Sequence, residues 1–157
     1  MNHRLLHESA GRRNYVIAME RGDHVMSCLV DFATDEGCRA SELTAIGAFE
    51  WARIAYFDVD QRKYLEIPLQ EQTELLSLHG RITLPEGTDP DSPDADDKEP
   101  HLHVHVVLGH PDGSTTGGHL IEAEVSPTCE VFVTDYPTRL TREKDPGSGL
   151  AVLKLSE

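Results

Sequence analysis

The alternation of apolar and polar residues along the chain predicts many short β-strands. Between about 14 and 20, Tyr15, Ile17 and Met19 fall on one face of a strand. Further strand-like runs, separated by short polar turns, lie at 43–49, 53–59, 63–69, 74–84, 101–108, 118–125, 130–134 and 150–155. The pattern therefore indicates a chain dominated by β-structure.

One segment has the spacing of a helix instead. At about 24–36 the apolar residues recur every three or four positions, and Gly37 follows as a stop signal. The residues on this stripe are Val25, Cys28, Leu29, Phe32 and Ala33. Many strands with one clear helix predict an α/β (α+β) fold, in which a mostly antiparallel β-sheet is flanked by one or two helices in a single compact domain.

Seven of the 28 acidic residues lie in one proline-rich segment, residues 85–100 (PEGTDPDSPDADDKEP). Such a segment has almost nothing to bury, so we expect a solvated loop inside the domain. The whole chain has a formal net charge of -14, and 21 acidic against 13 basic residues remain when this segment is left out. This charge disfavours nucleic acid and anionic membrane surfaces as partners.

Other features of the sequence point to the cytoplasm. No stretch approaches the roughly 20 apolar residues of a membrane span, and the first residues lack the apolar segment of a signal peptide. Cys28, Cys38 and Cys129 share no CxxC spacing, so neither a disulfide framework nor a thiolate zinc site is indicated. We therefore expect a cytoplasmic protein with no membrane partner.

The histidines carry the clearest chemical signal. His101, His103 and His105 alternate with apolar residues, so on a strand their side chains project from one face. Two same-face imidazoles can lean together onto one metal ion, with metal–nitrogen distances of about 2.0–2.1 Å. The alternative interpretation is a solvent-facing strand that simply carries polar histidines.

A further histidine comes from across a predicted hairpin. If the turn is centred on Asp112, His119 lies directly opposite His105. A slip of one residue would turn His119 to the other face of the sheet. The pattern predicts a three-histidine site at His103, His105 and His119 with an open coordination position, which suits zinc and also nickel, copper or iron.

The residues around this site leave alternatives open. Three interpretations of His101 are open: it is a fourth metal ligand, it hydrogen-bonds to one of the ligands, or it has no role at the site. We favour the third. Gly117 and Gly118 have no side chains, so either a ligand or another backbone could approach them closely.

The sequence resembles the PPC family, the "plants and prokaryotes conserved" domain, over about residues 12–155. Each motif is weak alone, but their order and spacing together are specific. The motifs are Arg13–Val16, Glu20–Asp23, Ala45–Ala48, Ala55–Asp58, Glu74–Gly80, His103–His105, Asp112–Gly113, Gly117–Leu120, Thr128–Val131 and Gly149–Leu150.

This resemblance implies a compact domain that assembles as a homotrimer, with a histidine metal site that maps onto His103, His105 and His119. The fold is also similar to that of alpha-acetolactate decarboxylase, a zinc enzyme with a comparable histidine set. The analogy implies a Lewis-acid metal that acts on a small carbonyl or carboxylate substrate. Any activity would then be metal-dependent and lyase- or hydrolase-like, and whether the chain turns over a substrate stays open.

The family motif Thr-x-Glu-Val also marks Glu130, the best carboxylate candidate to support the metal ligands or to act as an acid or base. The alternative, which we favour, is an ordinary acidic residue at the edge of a strand. We expect residues 1–11 to form an N-terminal extension and residues 12–157 the PPC-like domain. The predicted function is a homotrimeric protein that holds a divalent metal, with zinc expected, and that binds or acts on a small oxygen-rich ligand.

The alternative is a DNA-binding regulator, since plant members of the family couple the domain to an AT-hook. An AT-hook needs an Arg-Gly-Arg-Pro core for the minor groove. This chain has only Gly11-Arg12-Arg13-Asn14, and its charge opposes contact with phosphates. Nucleic acid therefore stays the less favoured partner.

Overall fold

Nine strands make up most of the regular structure in residues 1–155, the part of the chain that the computed structural model describes. In chain order the elements are β1 (Asn2–Ser9), β2 (Arg12–Glu20), α1 (Val25–Asp35), β3 (Ala40–Asp58), β4 (Lys63–Leu69), β5 (Thr73–Thr83), a short 3-10 helix (Ala95–Asp97), β6 (His101–Gly109), β7 (Thr115–Asp135), β8 (Thr141–Lys144) and β9 (Ala151–Lys154).

Seven of the strands form one antiparallel sheet in the order β1-β2-β7-β6-β5-β3-β4. Strand β7 also pairs with β3, so β3, β5, β6 and β7 form a closed, barrel-like circuit. Strands β8 and β9 make a separate two-stranded sheet. The predicted fold class is confirmed: the sheet is mostly antiparallel and one α-helix packs on it.

The two longest strands differ from the prediction, which placed two shorter strands in each. Strand β3 has 19 residues and β7 has 21, and both pass through irregularities without turning back. One such irregularity lies at Gly47, where an added Cβ would be 2.4 Å from the carbonyl oxygen of Thr128. The polar positions that look like turns in the sequence are therefore bulges within continuous strands.

Helix α1 matches its prediction and closes one side of the core. Its buried residues are Val25, Leu29, Phe32 and Ala33. Burying a side chain such as Phe32 contributes about 1.5–3 kcal/mol to stability. With eleven residues, the only α-helix within residues 1–155 is too short to cross a membrane.

The first residues take part in the sheet. Residues 2–9, placed by the sequence in an extension before the domain, form β1 and pair antiparallel with β2. Every side chain in β1 is exposed, which explains why no apolar pattern marks the strand in the sequence.

The acidic segment at 85–100 is mostly exposed, as expected for a solvated loop, but two arginines fix it in place. Arg39 donates a hydrogen bond to the main-chain oxygen of Asp96, and Arg139 pairs with the Asp96 carboxylate. The segment also hydrogen-bonds to the C-terminal hairpin of β8 and β9, through the amide of Gly87 and the carbonyl of Arg142. The loop therefore supports β8, a strand that the sequence pattern did not predict.

Candidate metal centre

Strands β6 and β7 form the hairpin on which the histidines meet. His105 pairs directly with His119, and Gly109 pairs with Thr115, so the turn is centred on Asp112 as predicted. The Asp112 carboxylate accepts hydrogen bonds from the amide and the hydroxyl of Ser114, which stabilises the turn. The predicted register is confirmed, and it turns His119 to the same face as His105.

The side chains of His103, His105 and His119 converge in the folded chain. Each offers one ring nitrogen, and the three nitrogens lie within 4.8 Å of one another. The Nε2 atoms of His103 and His105 are 3.0 Å apart, and the ring centroids are separated by 4.9 to 5.5 Å. Imidazole nitrogens gathered at this spacing are able to hold one metal ion through three protein ligands.

One atom of the cluster shows a clear need for a partner. The Nδ1 atom of His119 is buried and has no hydrogen-bond partner among residues 1–155. A buried polar atom left without a partner costs about 1–3 kcal/mol. The neutral nitrogen donors and this orphaned atom fit a divalent metal ion bound at the cluster.

The surroundings of His103 and His119 keep these two imidazoles neutral. Burial, and then the proximity of the other histidines, lower the pKa of both His103 and His119 to about 4. The two rings are therefore uncharged near neutral pH, with a lone pair available on each.

A cavity of about 520 Å³ opens beside the histidines. His101, His103 and His119 lie on its wall together with Tyr64, Arg81 and Arg142, and the segment 149–153 also lines it. The Tyr64 ring packs on His119 with a centroid distance of 4.8 Å. His101 thus faces the cavity next to the cluster and does not belong to the group of converging nitrogens.

Glu130 lies away from the histidines. It is on β7 opposite Ile46 of β3, at an apolar depression that Leu76 also lines. Because β7 is one continuous strand, the eleven residues from His119 to Glu130 span roughly 36 Å along it. The structure therefore does not bring Glu130 to the metal cluster of its own chain. The expectation that Glu130 could reach the histidines rested on residues 118–125 and 130–134 being two separate strands.

The larger cavity of the molecule, about 740 Å³, lies elsewhere and is lined by Arg13, Arg39 and Arg139. All three arginines already have acidic partners: Arg13 pairs with Asp135, and both Arg39 and Arg139 pair with Asp96. Their charges are satisfied within the fold, so the smaller cavity beside the histidines is the better candidate site.

Sequence reasoning missed Tyr64 and Arg142. Tyr64 reaches His119 because β3 pairs with β4 on one side and with β7 on the other, so Phe57 faces Tyr64 while Ala55 faces His119. Arg142 lies on β8, where the neighbouring buried residue Thr141 breaks the alternation that marks a strand. Tyr64 could have been found only from the pairing of β3 with both β4 and β7. No local sequence pattern identifies Arg142.

Comparison with family models identifies the family of this chain. The model of the Plants and Prokaryotes Conserved domain (PCC, here abbreviated PPC) matches residues 6–137. The chain belongs to the PPC family. The comparison with curated proteins gives no match. The matched region thus begins within β1 and ends just after β7, and the β8–β9 hairpin follows it.

Solved structures of PPC-like proteins superpose closely on this chain. A metal-containing protein from Archaeoglobus fulgidus is 31% identical with a TM-score of 0.78, covering 90% of this chain and 93% of its own. A PPC protein from Pyrococcus horikoshii is 30% identical, also with a TM-score of 0.78, covering 92% and 93%. A candidate DNA-binding protein from Ralstonia eutropha JMP134 is 27% identical with a TM-score of 0.78, covering 90% and 91%.

The predicted likeness to alpha-acetolactate decarboxylase holds at the level of fold. A Staphylococcus aureus protein of unknown function that is similar to this enzyme superposes with a TM-score of 0.53 at 13% identity. The match covers 78% of this chain and 52% of that chain. At this identity the likeness shows a shared fold alone.

Proposed function

We propose that this PPC-domain protein holds a divalent metal ion, zinc, at His103, His105 and His119, and that it binds or acts on a small oxygen-rich ligand in the adjacent cavity. The observation that carries the proposal is the convergence of three imidazoles, one of which, His119, has a buried Nδ1 without a hydrogen-bond partner among residues 1–155. The metal-containing relative from Archaeoglobus fulgidus supports it. Three nitrogen donors without a thiolate suit zinc.

The chain's own residues give this site its chemical character. A bound zinc ion would supply Lewis-acid polarisation of a carbonyl or carboxylate oxygen. His103, His105 and His119 hold the donor set on two paired strands, and the Tyr64 ring packs on His119. The adjacent cavity, at about 520 Å³, falls within the usual range for small-molecule sites.

The metal is tested by elemental analysis of purified protein. Wild type should contain about one metal ion per chain, and His105→Ala and His119→Ala should lose most of it, because two histidine ligands bind far more weakly than three. His7→Ala is a matched control, since His7 is exposed on β1 outside the cluster. Equal metal content in all four proteins would refute the site.

We further propose that the chain is a cytoplasmic homotrimer. Ile46, Leu76 and Phe132 are 61%, 52% and 53% exposed, and they line the same region of the sheet surface. Contiguous apolar surface of this kind is typical of an interface between subunits. The cysteines Cys28, Cys38 and Cys129 are all free thiols, in agreement with a reducing compartment.

DNA binding is the second candidate function, favoured by the relative from Ralstonia eutropha. The net charge of -14 opposes it, because phosphate contacts require clustered Lys and Arg. A mobility-shift titration of duplex DNA at low and at physiological salt distinguishes the two functions. Binding that weakens as salt rises would support the DNA function, and absence of binding at low salt would exclude it.

A further inference from the structure

Arg142 is a buried cation without an acidic partner in the described part of the chain. Its side chain is 4% exposed. Nε donates to the hydroxyl of Thr83 at 3.0 Å and Nη1 donates to the main-chain oxygen of Ala151 at 2.8 Å. Both acceptors are neutral. Within residues 1–155 no carboxylate lies at ion-pair distance from this guanidinium, and Nη2 donates to none of these residues.

This arrangement contrasts with the other buried arginine. Arg39 is 3% exposed and pairs with Asp96. Carboxylates are plentiful in this chain, which carries twice as many acidic as basic residues. Burying a charge is costly unless it is paired. Burial lowers the pKa of Arg142, yet a guanidinium stays protonated in proteins. The fold therefore maintains a positive charge at Arg142 that no carboxylate within residues 1–155 neutralises.

Arg142 lies on the wall of the cavity that His103 and His119 also line. The remainder of this wall includes one further cation, the exposed Arg81, and the apolar residues Leu102, Leu150, Val152 and Leu153. Arg142 and most of these apolar residues belong to the β8–β9 hairpin, which follows the matched family domain at 6–137. The hairpin thus adds a cation and an apolar surface to the histidine site.

We propose that Arg142 anchors the carboxylate of the ligand and that this ligand is a small organic carboxylate whose apolar part packs on Leu150, Val152 and Leu153. The proposal rests on the proposed function for the metal held by the histidines. A carboxylate suits the site better than a phosphate ester. The Nη2 amino group of the guanidinium remains for it, apolar residues make up much of the wall, and the acidic surface repels multiply charged anions.

The test compares valerate with valeramide, its neutral counterpart of equal shape, and with inorganic phosphate. Dissociation constants are measured by NMR titration of the zinc-supplemented full chain, with the arginine side-chain Nε–Hε signals as a direct readout. The proteins are wild type, Arg142→Gln, Arg142→Lys, His119→Ala and Arg4→Gln. Arg4 is a matched control because it is exposed on β1, away from the cavity.

Wild type and Arg4→Gln should bind valerate at least about tenfold more tightly than valeramide, with the Arg142 signal shifting. Arg142→Gln should remove this preference, and Arg142→Lys should retain part of it because the charge remains. His119→Ala should keep a preference for valerate while losing metal. The metal content therefore reports on the proposed function separately.

Three outcomes would overturn the inference. In the first, valerate and valeramide bind equally to wild type. In the second, the preference persists in Arg142→Gln and disappears in His119→Ala, which would assign the carboxylate to the metal alone. In the third, phosphate binds more tightly than valerate. If Arg142→Gln does not fold, the wild type alone still tests the inference. The inference is then overturned if valerate does not shift the Nε–Hε signal of Arg142.

Discussion

Gly118 lies against the backbone of Ala55, at a distance that leaves no room for a side chain. A Cβ atom built on Gly118 would be 2.7 Å from the carbonyl oxygen of Ala55. The sequence left open whether a ligand or a backbone approaches this glycine, and the structure shows that it is the backbone of β3. The contact brings β3 onto β7 next to His119, which pairs with Ala55.

Gly118→Ala should therefore disturb both stability and metal binding. The clashing atom belongs to the backbone, which cannot rotate away, so we expect a loss of about 1–3 kcal/mol in the free energy of unfolding. Urea denaturation measures this loss, and metal analysis reports on the displaced His119. Gly147→Ala is the control, since the atoms that its Cβ would meet most closely are side-chain atoms of Asp145, the nearest at 3.2 Å, and not backbone atoms. Equal unfolding midpoints for the two variants would contradict this account.

The histidine cluster was predictable because every signal for it is local. Alternation with period two placed His103 and His105 on one face, and the turn around Asp112 fixed the register of His119. The cavity was not predictable in the same way. Tyr64 depends on the pairing of β3 with β7, which are distant in sequence, and Arg142 depends on the docking of a hairpin. Long-range contacts of this kind leave no periodic trace in the chain.

Removal of the metal should destabilise the protein. A ligand that binds only the folded state adds about 4 kcal/mol to the free energy of unfolding when its free concentration is roughly a thousand times its dissociation constant. We expect a chelator to lower the thermal midpoint of wild type and to leave His105→Ala unchanged, because that variant has lost the site. Differential scanning calorimetry with and without added zinc makes the comparison. A chelator effect of equal size in both proteins would indicate a metal bound elsewhere.

The exposed apolar surface around Phe132 allows a test of the proposed trimer. Phe132→Asp places a charge among Ile46 and Leu76, so burying this surface in an interface would leave an unpaired carboxylate. Light scattering should give the mass of a trimer for wild type and of a monomer for the variant. Leu6→Asp, at the equally exposed β1, should leave the mass unchanged. A wild-type mass of one chain would refute the trimer.

A buried tyrosine gives the fold a measurable pH dependence. The hydroxyl of Tyr15 donates to the Glu36 carboxylate at 2.8 Å, and this bond is the main reason that the pKa of Glu36 lies below its usual value. A lowered pKa means that the unfolded chain binds the proton more tightly. The contribution of Glu36 to stability is therefore present above its unfolded pKa of about 4.3 and is lost as the pH falls.

Tyr15→Phe keeps the ring, which packs on Phe32 with a centroid distance of 5.2 Å, and removes only the donor. At pH 7 we expect a loss of about 1–2 kcal/mol in the free energy of unfolding, since the bond is to a charged group. The difference from wild type should shrink at about pH 3.5, where Glu36 is largely protonated in the unfolded chain. Urea titrations of both proteins at the two pH values measure it. A difference that is the same at both pH values would show that the hydroxyl acts through packing and not through the carboxylate.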